Sequence, residues 1–175
     1  MTFPSVGTVC VLLVLAATPS RAQTTPGPHE DHRQGIVARG DHVMGFDHAK
    51  TTHHFRLYRD GGAIEVAAND PTDTASFDEI REHLRHIAGL FAEGNFDAPM
   101  QIHDRVPPGV PTLKRKRRFV RYAFERTPAG ARVRIRTSDP KAVAAVHEFL
   151  RFQISDHQTH DCGAVERETS APAQR

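Results

Sequence analysis

The sequence predicts an α+β fold in which two β-hairpin–helix units form one four-stranded, mostly antiparallel sheet with two helices packed on one face. Apolar–polar alternation occurs in two pairs of short segments, and a helical pattern follows each pair. The two helices also share a local string, "REHLRHIA" against "HEFLRFQI", which suggests a duplicated unit. Each unit has one sheet face and one helix stripe to bury, so we expect the units to pack together.

The first 22 residues have the pattern of a secretory signal peptide. The apolar run "VGTVCVLLVLAA" is too short to cross a bilayer, and small residues at Ser20 and Ala22 predict cleavage after Ala22. The usual Lys or Arg before the apolar run is missing. We therefore expect a periplasmic or secreted protein with no transmembrane segment in its mature chain.

The rest of the chain has the length of one domain, predicted over residues 41–160. Polar composition predicts a disordered lead over residues 23–40 and a disordered tail over residues 161–175. The predicted parts of the domain are a first unit at about 41–94, an ordered Pro- and Gly-rich crossover at 95–117 and a second unit at about 118–160.

The first unit begins with a predicted hairpin. The string "HHFRLY" alternates so that His53, Phe55 and Leu57 share the inward face. The string "RDGG" is typical of a tight turn, and "AIEVAA" returns with Ile64 and Val66 inward.

A helix is predicted to follow this hairpin. Ser76 and Glu79 have the spacing of a capping box, which indicates Ser76 as the N-cap. The helix should run to about Glu93, with Gly94 just beyond its end. Its predicted apolar stripe is Ile80, Leu84, Ile87 and Phe91.

The second unit repeats this plan. "FVRYAFER" and "RVRIRT" alternate on either side of the turn "TPAGA". The predicted inward residues are Val120, Tyr122, Phe124, Val133 and Ile135. Asp139 and Pro140 predict the N-cap and first residue of the second helix. The predicted stripe of that helix is Val143, Val146, Leu150 and Ile154.

A cluster of histidines with one methionine precedes and opens the first strand. Its members are His42, Met44, His48, His53 and His54. Imidazole binds zinc, copper and nickel, and a thioether favours Cu(I). Structural roles are the alternative, because His53 lies on the inward face, His54 on the outward face, and Met44 could fill the core.

Two further places could supply metal ligands. His83 and His86 lie three residues apart on the first helix, on neighbouring positions of one face. They could close the site from the helix or form an ordinary polar border. His103 and Asp104 lie in the proline-rich crossover, where His103 is a candidate ligand or a hydrogen-bonding loop residue.

The end of the second helix carries a third group of possible ligands, "SDHQTHDC". His157, His160 and Cys162 could chelate a metal or belong to a frayed terminus. Removal of Cys10 with the signal peptide leaves Cys162 alone, so no internal disulfide is possible. His147 borders the apolar stripe and is expected to be a core histidine.

Arginines supply the alternative function. Arg132, Arg134 and Arg136 alternate with apolar residues and should face away from the helices, as should Arg121. Such a face, preceded by the run "KRKRR", could bind an anionic partner or be an ordinary solvated surface. Tyr58 is the only aromatic residue available to stack on bases, so nucleic-acid binding is not expected.

The strings "MGFDHAKTTHHFRLYRDGGAIEV", "GNFDAPMQIHDRVPPGVPTLKR" and "HEFLRFQISDH" resemble a family of small exported bacterial proteins. The resemblance covers roughly residues 40–160 and implies export without implying an activity. Some members carry the name aspartate carbamoyltransferase. The chain lacks the Ser-Thr-Arg-Thr string of that enzyme's carbamoyl-phosphate loop and has about half the length of such a two-domain catalyst.

The sequence therefore predicts an exported protein that binds a transition metal, copper first and zinc second, for sequestration or delivery. The predicted ligands are Met44, His48, His53, His54, His83, His86 and His103. The alternatives are a binding module for an anionic partner, using Arg121, Arg132, Arg134 and Arg136, and a metal-dependent enzyme with Asp47 or Asp104 as base. No common catalytic motif is present, so an enzyme is less expected.

Overall fold

The computed structural model describes residues 28–168 of the 175-residue chain. The predicted signal peptide, residues 23–27 of the predicted lead and the tail from residue 169 onward lie outside the described residues. Within residues 28–168, no helix combines the length and apolarity needed to span a membrane.

Residues 28–168 contain five helices and five strands. The helices are α1 (Pro28–Met44), α2 (Thr74–Glu93), α3 (Asp97–His103), α4 (Val110–Lys116) and α5 (Pro140–His157). The strands are β1 (Thr51–Tyr58), β2 (Gly61–Ala68), β3 (Val120–Thr127), β4 (Gly130–Thr137) and β5 (Val165–Glu166). Single 3-10 turns lie at His48–Lys50 and Arg117–Phe119.

The predicted α+β class is confirmed, but the sheet is mixed and has five strands in the order β3-β4-β2-β1-β5. Each predicted hairpin forms, and the two hairpins join through their second strands, where Ile64 of β2 pairs with Val133 of β4. The fifth strand, β5, comes from the predicted tail and pairs in parallel with the edge strand β1. Part of the tail is therefore ordered, contrary to the prediction.

The two long helices are exchanged between the units. Helix α2 follows the first hairpin but packs mainly on β3 and β4, whereas α5 follows the second hairpin and packs mainly on β1 and β2. The whole predicted stripe of α2 is buried. Gly62 permits the close approach of α5, because a Cβ there would lie 2.3 Å from Cδ1 of Leu150.

The helix caps match the sequence patterns with one exception. Asp139 accepts hydrogen bonds from the first free amides of α5, and Gly94 ends α2 in the left-handed conformation, as predicted. The N-cap of α2 is Asp73, not Ser76, whose amide and hydroxyl both donate to the Asp73 carboxylate. Asp73 reaches the free amides one turn earlier, so the helix starts at Thr74.

The prediction of a disordered lead is wrong from residue 28 onward, because α1 begins there. Ile36 is only 2% exposed, and the Arg39 Nε donates to the Ile102 carbonyl at 2.8 Å. These contacts attach α1 to α3, so tertiary packing orders a segment whose composition alone does not favour a helix.

The predicted crossover contains two short helices, α3 and α4, with Ile102, Val110 and Leu113 buried. Gly109, between them, has a φ of 82°, and a Cβ there would lie 2.1 Å from the Ala145 carbonyl oxygen. This close contact with α5 places α3 beside the ends of α1 and α5, where the histidines collect.

Candidate functional site

Four chain segments bring histidines to one end of the sheet. Met44 is the last residue of α1, His48 opens the following 3-10 turn, and His53 lies in β1. His83 comes from α2, and His157 is the last residue of α5.

His53 lies at the centre of a stack of rings. Its ring lies 5.2 Å from that of His48 and 5.9 Å from that of His157, with interplanar angles of 18° and 8°. The buried Phe46 ring stacks on His53 as well, at 5.9 Å, and meets His83 edge-on at 5.5 Å. Three imidazoles and one phenyl ring thus hold each other's orientation.

Two spaces meet at this stack. An inner cavity of about 60 Å³ lies between the sheet and the helices, and the residues that line it include Met44, His53, His83, His103 and His157. An outer cleft of about 240 Å³ lies between α1, the start of β1 and the end of α5, with His48, Asp156 and Thr159 in its wall. His53 and His157 line both spaces, so their paired rings form part of the wall between them.

The cluster favours neutral imidazole. Burial, with a smaller contribution from His157 and His48, lowers the pKa of His53 well below its ordinary value of 6.5. Burial lowers the pKa of His83 to about 4 and that of His157 to about 3. All three rings are therefore uncharged at neutral pH, which is the form that binds metal ions.

The Nε2 atom of His53 is buried and has no hydrogen-bond partner among residues 28–168. The amide nitrogen of Gln153, which lines the same inner cavity, is in the same condition. Leaving a buried polar atom unsatisfied costs roughly 1–3 kcal/mol. Such atoms in a cavity wall indicate a bound species, which can be as small as a water molecule or an ion.

Both ring nitrogens of His103, a predicted ligand, contact side chains of α5. Its Nδ1 lies 2.5 Å from Oδ2 of Asp156 and its Nε2 lies 2.9 Å from Oε1 of Gln153. Asp156 also accepts a hydrogen bond from Arg105 at 2.7 Å. Because both ring nitrogens are engaged, His103 links α3 to α5 and is not available as a metal ligand.

Two other predicted ligands do not reach the cavity. His54 faces away from His53, as alternation along the strand requires, and its Nδ1 lies 2.9 Å from Oδ1 of Asp161. His86 is exposed on α2, and so is His42 at the end of α1. Including His54 and His86 in one site with His53 was therefore wrong.

The predicted chelating group at the end of α5 is divided. His157 enters the inner cavity, whereas His160 and Cys162 are exposed. His147 remains a structural residue, as expected, because its Nε2 lies 2.8 and 3.0 Å from the carbonyl oxygens of Tyr58 and Gly61.

Among residues 28–168, no group of three or more His, Cys, Asp or Glu side chains is placed so as to hold one metal ion. The inner cavity also has a thioether in its wall, because Met44 lines it with His53 and His83. The donors available there are soft or borderline, which is the chemistry of Cu(I).

The arginines do not form an open anion-binding face. We use "arginine cluster" for Arg132, Arg134 and Arg136. Arg134 is 1% exposed, lies against the Tyr58 ring and donates two hydrogen bonds, each of 2.9 Å, to the Glu168 carboxylate. The other pairings of the cluster are Arg132 with Glu125 and Glu168, Arg134 with Asp60, and Arg136 with Asp60, Glu125 and Glu168.

The chain's own carboxylates thus occupy the predicted anion site. Of the four predicted arginines, Arg121 is exposed and the other three are buried or half-buried. The alternation correctly placed the arginines on the outer face. It could not show that a segment more than thirty residues away in sequence would return to cover them.

Sequence reasoning missed Phe46, and it assigned His157 to a separate terminal group instead of placing it beside His53. A signal for His157 was present, because it lies seven residues after the buried Leu150 and four after the buried Gln153. It therefore continues the buried stripe of α5 by one turn. The polar residues around His157, in the string "SDHQTHDC", made this segment look like a frayed helix end.

Comparison with known proteins gives no assignment. No protein-family model matches the chain, and no curated protein or solved structure has significant similarity to it. Function must therefore be inferred from this chain's own residues.

Proposed function

We propose that this protein binds a transition metal in the inner cavity, copper as Cu(I) first and zinc second, through the Met44 thioether and the imidazoles of His53 and His83. The observation that carries the proposal is the buried Nε2 of His53, which has no hydrogen-bond partner in the described part of the chain. His53 lines the inner cavity together with Met44 and His83.

Electrostatics supports a metal in this place. Neutral imidazoles carry the lone pair that a metal accepts, so binding displaces no proton from His53 or His83 at neutral pH. A metal–nitrogen bond would also compensate the free-energy cost of burying the His53 nitrogen away from water. The surrounding side chains are mostly apolar, which favours a soft ion over a strongly hydrated one.

The ligand set favours copper over zinc. Protein zinc sites are almost always tetrahedral, with nitrogen, sulfur or carboxylate ligands, and no such group of three is assembled in residues 28–168. Cu(I) accepts fewer ligands and binds thioethers. Zinc would require His157 to turn its ring out of the stack with His53 and join the site.

The outer cleft provides an entry path. Two rings of the stack, His53 and His157, separate the outer cleft from the inner cavity, and His48 lines the cleft beside them. An ion captured in the cleft would reach the inner cavity by rotation of one of these rings. Such a path suits a protein that sequesters or delivers a metal.

The structure gives no support to the metal-dependent enzyme. Of the two predicted bases, Asp47 is exposed and accepts the Ala49 amide at the start of the 3-10 turn, and Asp104 is exposed at the end of α3. Neither lines the inner cavity. We retain export as part of the proposal, since metal capture by His and Met suits an oxidising compartment, although its sequence signal lies outside the described residues.

Anaerobic titration of the purified protein with Cu(I), in competition with a chromophoric Cu(I) chelator, tests the proposal. We expect one equivalent to bind, and His53→Ala, His83→Ala and Met44→Leu to weaken binding at least about tenfold, because each removes one of few ligands. A parallel zinc titration ranks the two metals. X-ray absorption of the copper complex should show nitrogen and sulfur neighbours.

His86→Ala and His54→Ala are the matched controls, since each removes a histidine adjacent to a proposed ligand but outside the cavity. Both should bind copper like the unaltered protein. Equal losses in the control and ligand variants, or binding by the unaltered protein no tighter than by His53→Ala, would refute the site.

A further inference from the structure

The densest run of positive charge in the sequence lies just before β3 and at its start. Six of the eight residues from Lys114 to Arg121 are Lys or Arg, and none is acidic. They form the end of α4, the 3-10 turn and the start of β3. We propose that this part of the surface binds an anionic phospholipid bilayer, independently of any metal. We call it the basic surface, and its residues are Arg115, Lys116, Arg117, Arg118, Phe119 and Lys141.

Most charges of the basic surface have no carboxylate partner. Lys116 pairs with Asp139 at 2.7 Å, and among residues 28–168 the other cations of the basic surface form no ion pair. Arg115 donates a hydrogen bond of 2.9 Å to the hydroxyl of Thr112, which is neutral. The arginine cluster differs, because each of its members faces a carboxylate of the same chain. The basic surface therefore keeps its charge available to a partner outside the chain.

A cleft of about 400 Å³ opens between α4 and α5 within the basic surface. Arg115, Lys116 and Lys141 line it, and the carboxylate in its wall is that of Glu148. With Lys116 paired to Asp139, two cations still face one carboxylate, so the cleft keeps a positive potential. Its volume has room for a phosphate headgroup, which Arg and Lys bind through charge-assisted hydrogen bonds.

The basic surface also carries an exposed aromatic ring. Phe119 is 61% exposed, the largest fraction for any large apolar side chain in residues 28–168. The Lys116 amino group lies 5.2 Å from the centroid of its ring. An apolar ring surrounded by cations is typical of proteins that bind at a bilayer interface, where the ring enters the headgroup region and the cations attract anionic lipids.

A nucleic acid is the alternative partner for these charges. Proteins that bind single strands stack successive bases on several aromatic rings. In the described part of the chain, Phe119 is the one exposed Phe or Tyr, since Tyr58 is buried and Tyr122 packs half-buried against Phe91 and Phe96. One ring without a platform beside it favours the bilayer over the nucleic acid.

Binding through the basic surface would leave the histidine cluster uncovered. Lys141 lies in the first turn of α5 and His157 is its last residue, so at about 1.5 Å per residue they are about 24 Å apart. The sheet pairings place the start of β3 at the same end as Tyr58, whereas His53 lies near the other end of β1. The outer cleft therefore stays open to solvent when the opposite end of the protein lies on a bilayer.

Cosedimentation of the purified protein with lipid vesicles tests the proposal. We expect binding to vesicles of phosphatidylglycerol mixed with phosphatidylcholine, release by high salt, and little binding to phosphatidylcholine alone. Arg115→Gln combined with Lys141→Gln should weaken binding by about tenfold or more, because each cation near an anionic surface contributes about fivefold. The matched control is Arg126→Gln combined with Arg167→Gln. It removes two exposed charges elsewhere and should change binding by less than about twofold.

Phe119→Trp gives a direct readout of contact, because the sequence contains no tryptophan. Its emission should shift to shorter wavelength when the protein binds anionic vesicles. The emission of Val165→Trp, exposed in β5 on the opposite edge of the sheet, should not shift. Phe119→Ser should weaken binding several-fold and Val165→Ser should not. Each substituted residue is exposed, so all variants should keep the far-UV circular dichroism of the unaltered protein.

Three results with vesicles would overturn the proposal. They are equal binding to neutral and anionic vesicles, equal losses in the two double variants, and an unshifted emission of Phe119→Trp in the bound state. Binding to heparin or duplex DNA without binding to vesicles would also overturn it, and would assign the basic surface to a polyanion instead.

Discussion

The imidazole rings of His53 and His157 lie nearly parallel, with an interplanar angle of 8° and 5.9 Å between their centroids. One ring belongs to the sheet and the other to the last turn of α5. Two buried rings in this relation cannot both be charged without strong repulsion. Protonation of this pair is therefore coupled to the stability of the fold.

Acid should destabilise the protein before carboxylates titrate. His53, His83 and His157 have pKa values below 6.5 in the fold and ordinary values when unfolded. Below pH 6.5 these three histidines bind protons in the unfolded chain but remain neutral in the folded chain. The free energy of unfolding should therefore be constant above pH 6.5 and fall as the pH drops toward about 4, where His83 also titrates in the fold.

The slope approaches about 1.4 kcal/mol per pH unit for each such histidine. Urea denaturation at a series of pH values measures it. His157→Gln should lower the slope between pH 6.5 and 4, while the exposed His86→Gln should not. A pH-independent free energy of unfolding in this range would show that the rings are not buried as a group.

Gly40→Ala should destabilise the protein although alanine favours helices. A Cβ at Gly40 would lie 2.3 Å from Cε1 of His48 and 3.2 Å from Cε of Met44, so the His48 ring must move off α1. We expect a net loss of about 1 kcal/mol, because the packing loss exceeds the helix-propensity gain.

Gly89→Ala is the matched control, since Gly89 also lies within a helix, and a Cβ there meets nothing within 4 Å. It should stabilise the protein by about 0.5–1 kcal/mol. Chemical denaturation of both variants measures the two changes in stability. Equal stabilisation by the two substitutions would mean that α1 does not pack on His48.

Arg134→Met should cost about 2–3 kcal/mol of folding free energy, because Glu168 and Asp60 lose the buried partner between them. Arg121→Met, in the neighbouring strand β3 but exposed, should change stability by less than about 0.5 kcal/mol. Thermal or urea unfolding measures both. A neutral Arg134→Met would indicate that the arginine cluster is a solvated surface after all.

Asp156→Asn should destabilise by about 1–2 kcal/mol, because it weakens the hydrogen bond with His103 and removes the charge that faces Arg105. Asp104→Asn is a neutral control, since that residue is exposed and its left-handed conformation suits asparagine. Equilibrium unfolding measures this loss of stability. An unchanged free energy of unfolding would mean that the contact between α3 and α5 through Asp156 does not stabilise the fold.

Local patterns predicted the fold where the chain's own periodicity decides the structure. The alternation in "HHFRLY" and the stripe from Ile80 to Phe91 specify burial directly, and Asp139-Pro140 specifies a helix start. They could not reveal that each long helix packs on the strands of the other unit. That arrangement depends on contacts between residues distant in sequence, which a single sequence does not encode locally.

The candidate site shows the same division. His53 and His83 were chosen from the strand and the helix and both line the inner cavity, whereas His54 and His86, chosen with them, do not. Alternation along a strand puts His54 on the opposite face, and a step of three on a helix leaves His86 exposed while His83 is half-buried. His157 joined the cluster because α5 packs on β1, a tertiary contact.

The exchange of helices between the hairpins has a consequence for dissection of the chain. A cut in the exposed stretch 104–106 would give an amino-terminal piece with a hairpin whose main covering helix, α5, is on the other piece, and the reverse holds for α2. Neither piece could bury its own sheet face. The pieces should therefore fold only on mixing, and recovery of folded structure in the mixture would report their association.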